Sequence, residues 1–344
     1  MTIGNHNLNE KVFIIAELSA NHNGSLETAL QTVTAMKKSG ADAIKLQTYT
    51  PDTITLDCDS DMFTISQGTL WDKRKFYDLY AEAMTPWEWH KQLFDHAKSL
   101  GMEAFSSPFD TSAVDFLEQL DVPAYKIASF EITDIPLIEY TASKGKPIII
   151  STGIATLSDI EEALESCRRV GNTQITLLKC TSAYPADLEE MNLLTISDMI
   201  DRFGVTVGLS DHTMSIAAPI AAVALGARVI EKHFILDREM GGADCAFSLE
   251  PHEFKAMVDG VRDTEKLLGK VTYDLSAKSL KSREFSRSLF VVEDVKEGEM
   301  LTTANVRSVR PGFGMAPKYL PEILGKRFVV NMPKGTPLEW EHFR

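Results

Sequence analysis

Short apolar runs rich in β-branched residues alternate with longer amphipathic stretches along the first 270 residues. We predict eight strands from these runs: VFIIAEL, DAIKLQ, MEAFSS, AYKIAS, PIIIST, ITLLKCT, VTVGLS and ARVIEKHF. The stretches between them place apolar residues at helical spacing, as at Leu26, Ala29, Val33 and Met36. Eight strand-and-helix units are the number needed for a (β/α)8 TIM barrel, which is the fold that the pattern predicts.

The clearest start signal for a helix is the sequence Thr85-Pro86-Trp87-Glu88. It offers an N-cap threonine, a proline at the first helical position and a capping-box glutamate. We therefore expect Thr85 to cap a helix that runs to Gly101.

Polar residues collect where the predicted strands end, which is the face that carries catalytic groups in such barrels. Alternation along a strand turns Glu17 toward the barrel axis while Ile14 and Ala16 face the helices, and it likewise turns Lys45 and Gln47 inward. The candidates at the strand ends are Glu17, Lys45, Gln47, Ser106, Ser107, Lys126, Ser129, Ser151, Lys179, Ser182, Tyr184, Ser210, Asp211, His212, Glu231 and His233.

Three of these inward residues are lysines: Lys45, Lys126 and Lys179. A single buried lysine is equally explained by a structural ion pair. Three on different strands form a cationic site suited to an anion with more than one charge, such as a phosphate together with a carboxylate.

His212 and His233 end neighbouring predicted strands, 21 positions apart, and are candidate ligands of one divalent metal ion. On spacing alone, a pair of hydrogen-bonded core imidazoles is an equal alternative. Asp211 and Glu231 beside them favour a mixed imidazole and carboxylate site for Mn2+ or Mg2+. The sequence leaves open which carboxylate binds the metal directly and which only orients a histidine.

Composition limits the partners. The 344 residues carry a net charge of −14, which argues against nucleic acid, and contain no apolar run long enough to cross a membrane. The four cysteines form no C-x-x-C pair, and the first residues lack the pattern of a signal peptide. We therefore expect ordinary thiols in a reducing cytoplasm.

The chain is expected to contain two domains, with the barrel over residues 1–270 and a polar linker over 271–285. From 286 to 344 two weak repeats align, with Gly298 matching Gly335 and Leu301 matching Leu338, and predict a small β-rich domain. Within it, RPGFGMAP carries Arg310 in a loop that is either a rigid ligand-binding segment or a plain surface turn.

The motifs together resemble the sialic acid synthase family over nearly the whole chain. They are AELSANHNGSLETAL, GADAIKLQTY, FSSPFD, YKIASFE, STGIAT, LKCTSAYP, VGLSDHT, ALGARVIEKHF, FSLEPHEF and RPGFG. The resemblance implies a TIM barrel followed by an antifreeze-like (SAF) domain. It also implies that phosphoenolpyruvate condenses with the aldehyde of an open-chain acetamido sugar, releasing phosphate and forming a nine-carbon 2-keto acid.

The family assigns roles to matching positions of this sequence. His212 and His233 would hold the metal, with Mn2+ expected and Mg2+ or Co2+ as alternatives, and Glu17 would stabilise the cationic centre or transfer protons. The residues that match the phosphoenolpyruvate pocket are Lys45, Gln47, Ser107, Lys126, Ser129, Ser151, Ser182, Tyr184 and Ser210.

Sugar recognition is implied for Asp244, for Phe313, and for Arg310, which in this family reaches the site of the partner subunit in a domain-swapped homodimer. The stretches LQTYTPDTITL and GTLWDKRKFYDLYAEAMTPWEWH, together with Phe313, resemble the pseudaminate branch of the family. The sugar would then be 2,4-diacetamido-2,4,6-trideoxy-L-altrose. N-acetylneuraminate and legionaminate synthesis are the alternatives within the family.

Two rivals belong to other classes. One is a metal-free barrel lyase or aldolase in which Lys126 or Lys179 forms a Schiff base. The other is a carbohydrate-binding protein without catalysis, against which the many polar strand ends argue.

Overall fold

The structure is a computed structural model that describes residues 1–66 and 68–344. The chain forms two compact units, Met1–Gly269 and Lys270–Arg344, each described by itself below.

The first unit is built on a closed barrel of eight parallel strands. A short antiparallel hairpin of β1 (Thr2–Ile3) and β2 (His6–Asn7) precedes the barrel. The barrel strands are β3 (Phe13–Glu17), β4 (Ala43–Thr48), β5 (Glu103–Pro108), β6 (Tyr125–Ile127), β7 (Ile148–Ser151), β8 (Ile175–Cys180), β9 (Thr206–Asp211) and β10 (Val229–His233). They follow one another in chain order and β10 closes on β3, so the predicted TIM barrel is confirmed.

The helices of this unit follow the strands. They are α1 (Leu26–Lys38), α2 (Pro51–Ile54), α3 (Phe76–Ala83), α4 (Trp87–Ser99), α5 (Thr111–Gln119), α6 (Ile135–Ala142), α7 (Leu157–Arg169), α8 (Thr195–Phe203), α9 (Ala217–Ala224) and α10 (Pro251–Leu268). Across the described part of the chain, no helix has the length and apolar character needed to pass through a membrane.

Helix α1 shows how local signals and burial agree. The Ser25 hydroxyl accepts a hydrogen bond from the backbone N–H of Thr28 and so caps the start of the helix. Ala29, Val33 and Met36 form the buried stripe against the barrel. The helix is followed by Gly40, whose φ of +95° is easily reached only by glycine.

Helix α4 begins one residue later than its sequence signal predicts. The N-cap position falls on Pro86 rather than Thr85, because Pro86 has an extended ψ of 133°. The carbonyl of Pro86 accepts the N–H of Trp89, and the buried Thr85 hydroxyl has no partner among the described residues. The capping prediction for Thr85 was therefore wrong.

Strand register decides which side chains meet at the barrel mouth. Strand β10 places Glu231 opposite Ser210 of β9 and His233 opposite Glu17 of β3. All five of its residues are buried, so alternation sends Glu231 and His233 into the barrel and Lys232 into the helix layer. Gly208 lets β9 approach β10 closely, since a Cβ at this position would lie 2.3 Å from the Val229 carbonyl oxygen.

The second unit is small and rich in β-structure. It contains α11 (Ala277–Ser282), the antiparallel pair β11 (Ser288–Val291) and β12 (Val306–Val309), and the short α12 (Leu320–Ile323). Its separate core includes the two leucines of the weak repeats, Leu301 and Leu338, both fully buried or nearly so. The repeat glycines, Gly298 and Gly335, both have positive φ, as turns require.

Candidate active site

Four charged side chains from different strands meet inside the barrel near its C-terminal end. We call Glu17, Lys45, Lys126 and Glu231 the inner charge cluster. All four are at least 95 % buried. Lys45 Nζ contacts Glu17 Oε2 and lies 3.8 Å from Glu231 Oε1, while Lys126 Nζ lies 3.5 Å from that same Glu231 oxygen.

Burial and mutual attraction pull the pKa values of this cluster in opposite directions. Burial raises the pKa of Glu17 above its usual value, although Lys45 opposes the shift. Burial also tends to raise the pKa of Glu231, but the positive charges of Lys126 and Lys45 outweigh it and lower the pKa. Burial lowers the pKa of Lys126. The cluster thus contains groups that can exchange protons as well as groups that stay charged.

Several polar atoms at this end of the barrel are buried and accept or donate no hydrogen bond within the described part of the chain. Among the described residues, Glu17 Oε1, Glu231 Oε2 and Ser151 Oγ have no hydrogen-bond partner. Buried polar atoms normally have a partner, so unpaired ones in a group mark a place prepared for a ligand or for water.

Hydroxyl groups line the same end. Ser107 Oγ lies 3.4 Å from Lys45 Nζ, and Ser210 donates to Glu231 Oε1 over 3.0 Å. Ser129 accepts the backbone N–H of Gly153 over 3.1 Å. A Cβ at Gly153 would lie 2.1 Å from Ser182 Oγ, so only glycine allows these groups to come this close. The structure therefore brings most of the predicted anion-binding serines together.

The two histidines fit a metal ion. Their ring centroids lie 5.4 Å apart. His212 donates from Nδ1 to the Thr181 carbonyl over 3.0 Å, which leaves Nε2 as the atom able to bind a metal. The buried Nδ1 of His233 has no hydrogen-bond partner among the described residues, and it lies 3.9 Å from Asp244 Oδ2. A neutral His233 is required for binding, and burial keeps its pKa well below the usual value.

The carboxylates beside the histidines point in opposite directions. Glu231 belongs to the inner charge cluster, whereas Asp211 lies on the outer face of β9 and forms a fully buried ion pair of 2.7 Å with Lys232. We call Lys232 and Asp211 the outer ion pair. Asp211 also accepts the backbone N–H of Thr213 over 2.9 Å. It therefore shapes the turn that carries His212 and does not face the metal position.

Asp244 and Tyr184 lie beside the histidines. The carboxylate of Asp244 accepts the backbone N–H of Ala20 over 3.3 Å, and burial raises its pKa. The Tyr184 ring centroid lies 4.5 Å from that of His212. Both residues, for which the family resemblance implies substrate contact, therefore lie next to the candidate metal ligands.

Four other candidates are half-buried or exposed. Lys179 is only half-buried and donates to the Cys180 carbonyl over 2.7 Å. Gln47 pairs in register with Ser107 and is also half-buried. Arg310 and Phe313 belong to the second unit, where both are exposed.

Two site residues, Cys180 and Phe247, escaped the sequence reasoning, whereas Trp71 lies in the Trp-containing stretch that resembles the pseudaminate branch. The sequence predicts an ordinary thiol at Cys180, yet its Sγ lies 3.8 Å from His212 Nδ1. Phe247 packs on His233 with ring centroids 4.9 Å apart, and Trp71 packs on Phe247 at 6.3 Å. The motif FSLEPHEF includes Phe247, but spacing along the chain gives no signal for such contacts.

Each of the two units also has a surface depression. One of about 460 Å3 lies in the second unit beside Tyr319 and Trp340, and one of about 420 Å3 lies beside His6 and Lys98. A cluster of three possible ligand atoms within 4.8 Å is formed by Glu339, Glu341 and His342, which are exposed or half-exposed. None of these places has the buried, unpaired groups of the barrel mouth, which is therefore the candidate active site.

Three curated relatives match nearly the whole chain. The chain is 52 % identical to a pseudaminic acid synthase of Campylobacter jejuni over 344 residues, all of both chains. It is 49 % identical to a pseudaminic acid synthase of Helicobacter pylori, covering 94 % of this chain and 96 % of the relative. An N,N'-diacetyllegionaminic acid synthase of Legionella pneumophila is 38 % identical, covering 96 % and 94 %.

A solved structure and two family models complete the comparison. The crystal structure of a sialic acid synthetase from Leptospira borgpetersenii matches with a TM-score of 0.74 and 30 % identity, covering 83 % of this chain and 95 % of that one. Residues 286–344 match the SAF domain, as the sequence predicts, and residues 32–273 match the NeuB family. The chain therefore belongs to the NeuB family, in which the sialic acid synthase resemblance placed it.

Proposed function

We propose that this chain condenses phosphoenolpyruvate with 2,4-diacetamido-2,4,6-trideoxy-L-altrose to give pseudaminate and phosphate. The observation that carries the proposal is the barrel mouth, where two buried lysines lie beside two neighbouring histidines. The choice of sugar rests on the curated relatives, because the chain is 52 % identical to a pseudaminic acid synthase and 38 % identical to an N,N'-diacetyllegionaminic acid synthase.

The inner charge cluster is suited to the anionic substrate. Lys45 and Lys126 present two ammonium groups that now share Glu231 as a partner. A phosphate and a carboxylate would compete with Glu231 for these two lysines. The hydroxyls of Ser107, Ser129, Ser151, Ser182 and Ser210, with Tyr184 and Gln47 at the edge, are the proposed remaining contacts of phosphoenolpyruvate.

His212 and His233 are the proposed ligands of a divalent metal ion, with Mn2+ preferred. Such an ion would supply Lewis-acid polarisation of the sugar aldehyde. The chain's own contribution is to hold the two imidazoles: Thr181 fixes the tautomer of His212, and Asp244 stands beside His233. Asp244 is also the proposed contact of the sugar.

The proposed condensation consumes one water molecule in addition to the two substrates. A carbon–carbon bond forms between C3 of phosphoenolpyruvate and the aldehyde carbon, leaving positive charge at C2. Water adds at C2, and one of its protons passes to the former aldehyde oxygen, which becomes a hydroxyl. Phosphate then leaves with cleavage of the C–O bond and carries the second proton, so that C2 becomes the ketone. Glu17 is the proposed group that faces this charge and takes up the proton of the water, since its buried Oε1 is unpaired.

The test is phosphate release from phosphoenolpyruvate with the diacetamido-trideoxy-altrose, N-acetylmannosamine and the legionaminate precursor, each with Mn2+ and with EDTA. Metal-dependent turnover of the altrose derivative supports the proposal. Preference for either other sugar would keep the synthase chemistry and overturn the assigned product. Activity that persists in EDTA, with an adduct trapped by borohydride, would favour the Schiff-base lyase.

The proposal includes a domain-swapped homodimer in which Arg310 and Phe313 reach the sugar site of the partner chain. Both side chains are exposed on the second unit, as such a role requires. Free cysteines throughout the described residues also favour the reducing cytoplasm as its location.

Mixing two inactive variants tests the shared site. Glu17→Gln disables the barrel, and Arg310→Ala removes the arginine that the partner would supply. If the two proteins exchange subunits, a mixed dimer regains one intact site, so activity should return after mixing. Sedimentation that shows fully active monomers would overturn the dimer proposal.

A further inference from the structure

A continuous row of aromatic rings leads away from the two histidines. Tyr184 packs on His212 with centroids 4.5 Å apart, and Phe247 packs on His233 at 4.9 Å. Trp71 forms the next layer, 5.7 Å from Tyr184 and 6.3 Å from Phe247. Trp71 comes from the segment between β4 and α4, far from the other rings in sequence, so the fold assembles this wall from separate loops.

The indole ring of Trp71 is held in place. Its Nε1–H donates to the carbonyl of Ala243 over 3.1 Å, which ties the segment to the residue next to Asp244. The segment itself is fixed by hydrogen bonds from Ile65 N to the Arg74 carbonyl and from Lys73 N to the Ile65 carbonyl. Trp71 is therefore part of a formed wall, and it is half-buried with room to contact a ligand.

The chemistry of this wall matches one end of the proposed sugar. The aldehyde end belongs at the histidines, so the far end of the six-carbon chain extends away from them. That end of a 6-deoxy sugar is a methyl group. An aromatic face favours a methyl group but gives a hydroxyl no partner, and the Trp71 N–H is already committed to Ala243.

We propose that Trp71 is a specificity-determining residue whose indole face, fixed by the hydrogen bond to Ala243, receives the C6 methyl end of the sugar. This inference rests on the proposed function and deepens it. It assigns the preference for a 6-deoxy sugar to a residue outside the metal and phosphoenolpyruvate contacts.

The experiment compares two sugars in each of four proteins. The sugars are 2,4-diacetamido-2,4,6-trideoxy-L-altrose and its counterpart with a hydroxyl at C6, and the readout is kcat/KM for phosphate release. The proteins are the unaltered chain, Trp71→Ala, Trp71→Phe and Leu70→Ala. Leu70 is the matched control because it adjoins Trp71 but is 56 % exposed. Thermal unfolding verifies that each variant is folded.

We expect Trp71→Ala to lower kcat/KM for the 6-deoxy sugar by roughly 10-fold or more, the range that one apolar group commands in a pocket. The 6-hydroxy sugar should change by less than about 3-fold, so that discrimination between the two collapses. Trp71→Phe keeps a ring but loses the N–H donor, and should give a smaller loss. The KM for phosphoenolpyruvate should be unchanged in both Trp71 variants. Leu70→Ala should leave kcat/KM unchanged for both sugars.

Equal losses with both sugars would overturn the inference, because Trp71 would then only hold the loop. No loss with either sugar would overturn it as well. These outcomes differ from failure of the proposed function, in which the unaltered chain itself would not turn over the altrose derivative.

Discussion

Glu231 and Lys232 are neighbours in β10, yet they belong to two buried charge systems of opposite character. The inner charge cluster has carboxylate oxygens without partners and a glutamate whose pKa is raised by burial. In the outer ion pair, Asp211 is bonded to Lys232 and to the N–H of Thr213. Burying a charge is costly unless it is fully paired. Chemistry thus explains the inner charges, which are only partly paired, and architecture explains the outer charges, which are paired.

The largest expected effect comes from the inner charge cluster. Glu17→Gln keeps the shape of the side chain but removes its ability to take up a proton, so phosphate release should slow by roughly 100- to 10,000-fold. Stability should hold or rise, because the glutamine oxygen can still accept from Lys45, Glu231 remains near that lysine, and the variant removes a carboxylate whose charged form burial disfavours. The midpoint of thermal unfolding should stay within about 2 °C or increase. A large drop in that midpoint would show that Glu17 is structural.

The outer ion pair should behave in the opposite way. Lys232→Met leaves Asp211 charged and unpaired in a dry environment, which should cost about 3–5 kcal/mol of unfolding free energy in denaturant titrations. Replacing both residues, as Lys232→Met with Asp211→Leu, should recover at least about 2 kcal/mol of that loss. If the double variant were as unstable as the single one, the pairing argument would fail.

The buried imidazole of His90, on the outer side of the barrel, should make the stability of the protein depend on pH. His90 donates to the Pro86 carbonyl and accepts from the Thr48 hydroxyl, and burial lowers its pKa from 6.5 to about 4. Between pH 6.5 and about 4, His90 is therefore protonated in the unfolded chain but neutral in the folded chain. Its contribution to the unfolding free energy is complete above pH 6.5 and decreases as the pH falls toward 4. The loss due to His90 should approach 3 kcal/mol, about 1.4 kcal/mol per pKa unit.

Denaturant titrations at pH 7 and pH 4.5 measure this slope. His90→Gln should flatten it relative to the unaltered chain, whatever its effect at pH 7. His6→Gln is the control, because it makes the same substitution at a half-exposed histidine. Equal slopes in all three proteins would remove His90 as the cause.

The smallest effect should come from an exposed pair. Lys91 and Asp95 on α4 form an ion pair of 2.6 Å at a spacing of four residues, with both side chains more than half exposed. Asp95→Ala should cost only about 0.3–0.5 kcal/mol of unfolding free energy. A loss as large as that of Lys232→Met would mean that exposure does not govern the value of these pairs.

Period-two alternation was enough to predict that Glu17 and Lys45 point into the barrel. The apolar neighbours of each residue must face the helix layer, so the charged residue between them must face the barrel axis. The eight apolar runs also predicted the eight strands of the barrel. The contact between Lys232 and Asp211 could not be predicted, because it depends on the register between the neighbouring strands β9 and β10. Trp71 could not be predicted as a neighbour of Tyr184, because distant loops carry no shared period.

The opposed faces of β10 also bear on folding fidelity. Moving this strand by one residue would turn Lys232 toward the barrel axis and send Glu231 and His233 among the apolar helices. The misaligned form would lose the Lys232–Asp211 bond and bury three groups without partners. The outer ion pair thus favours the one register in which His212 and His233, the proposed metal ligands, lie side by side.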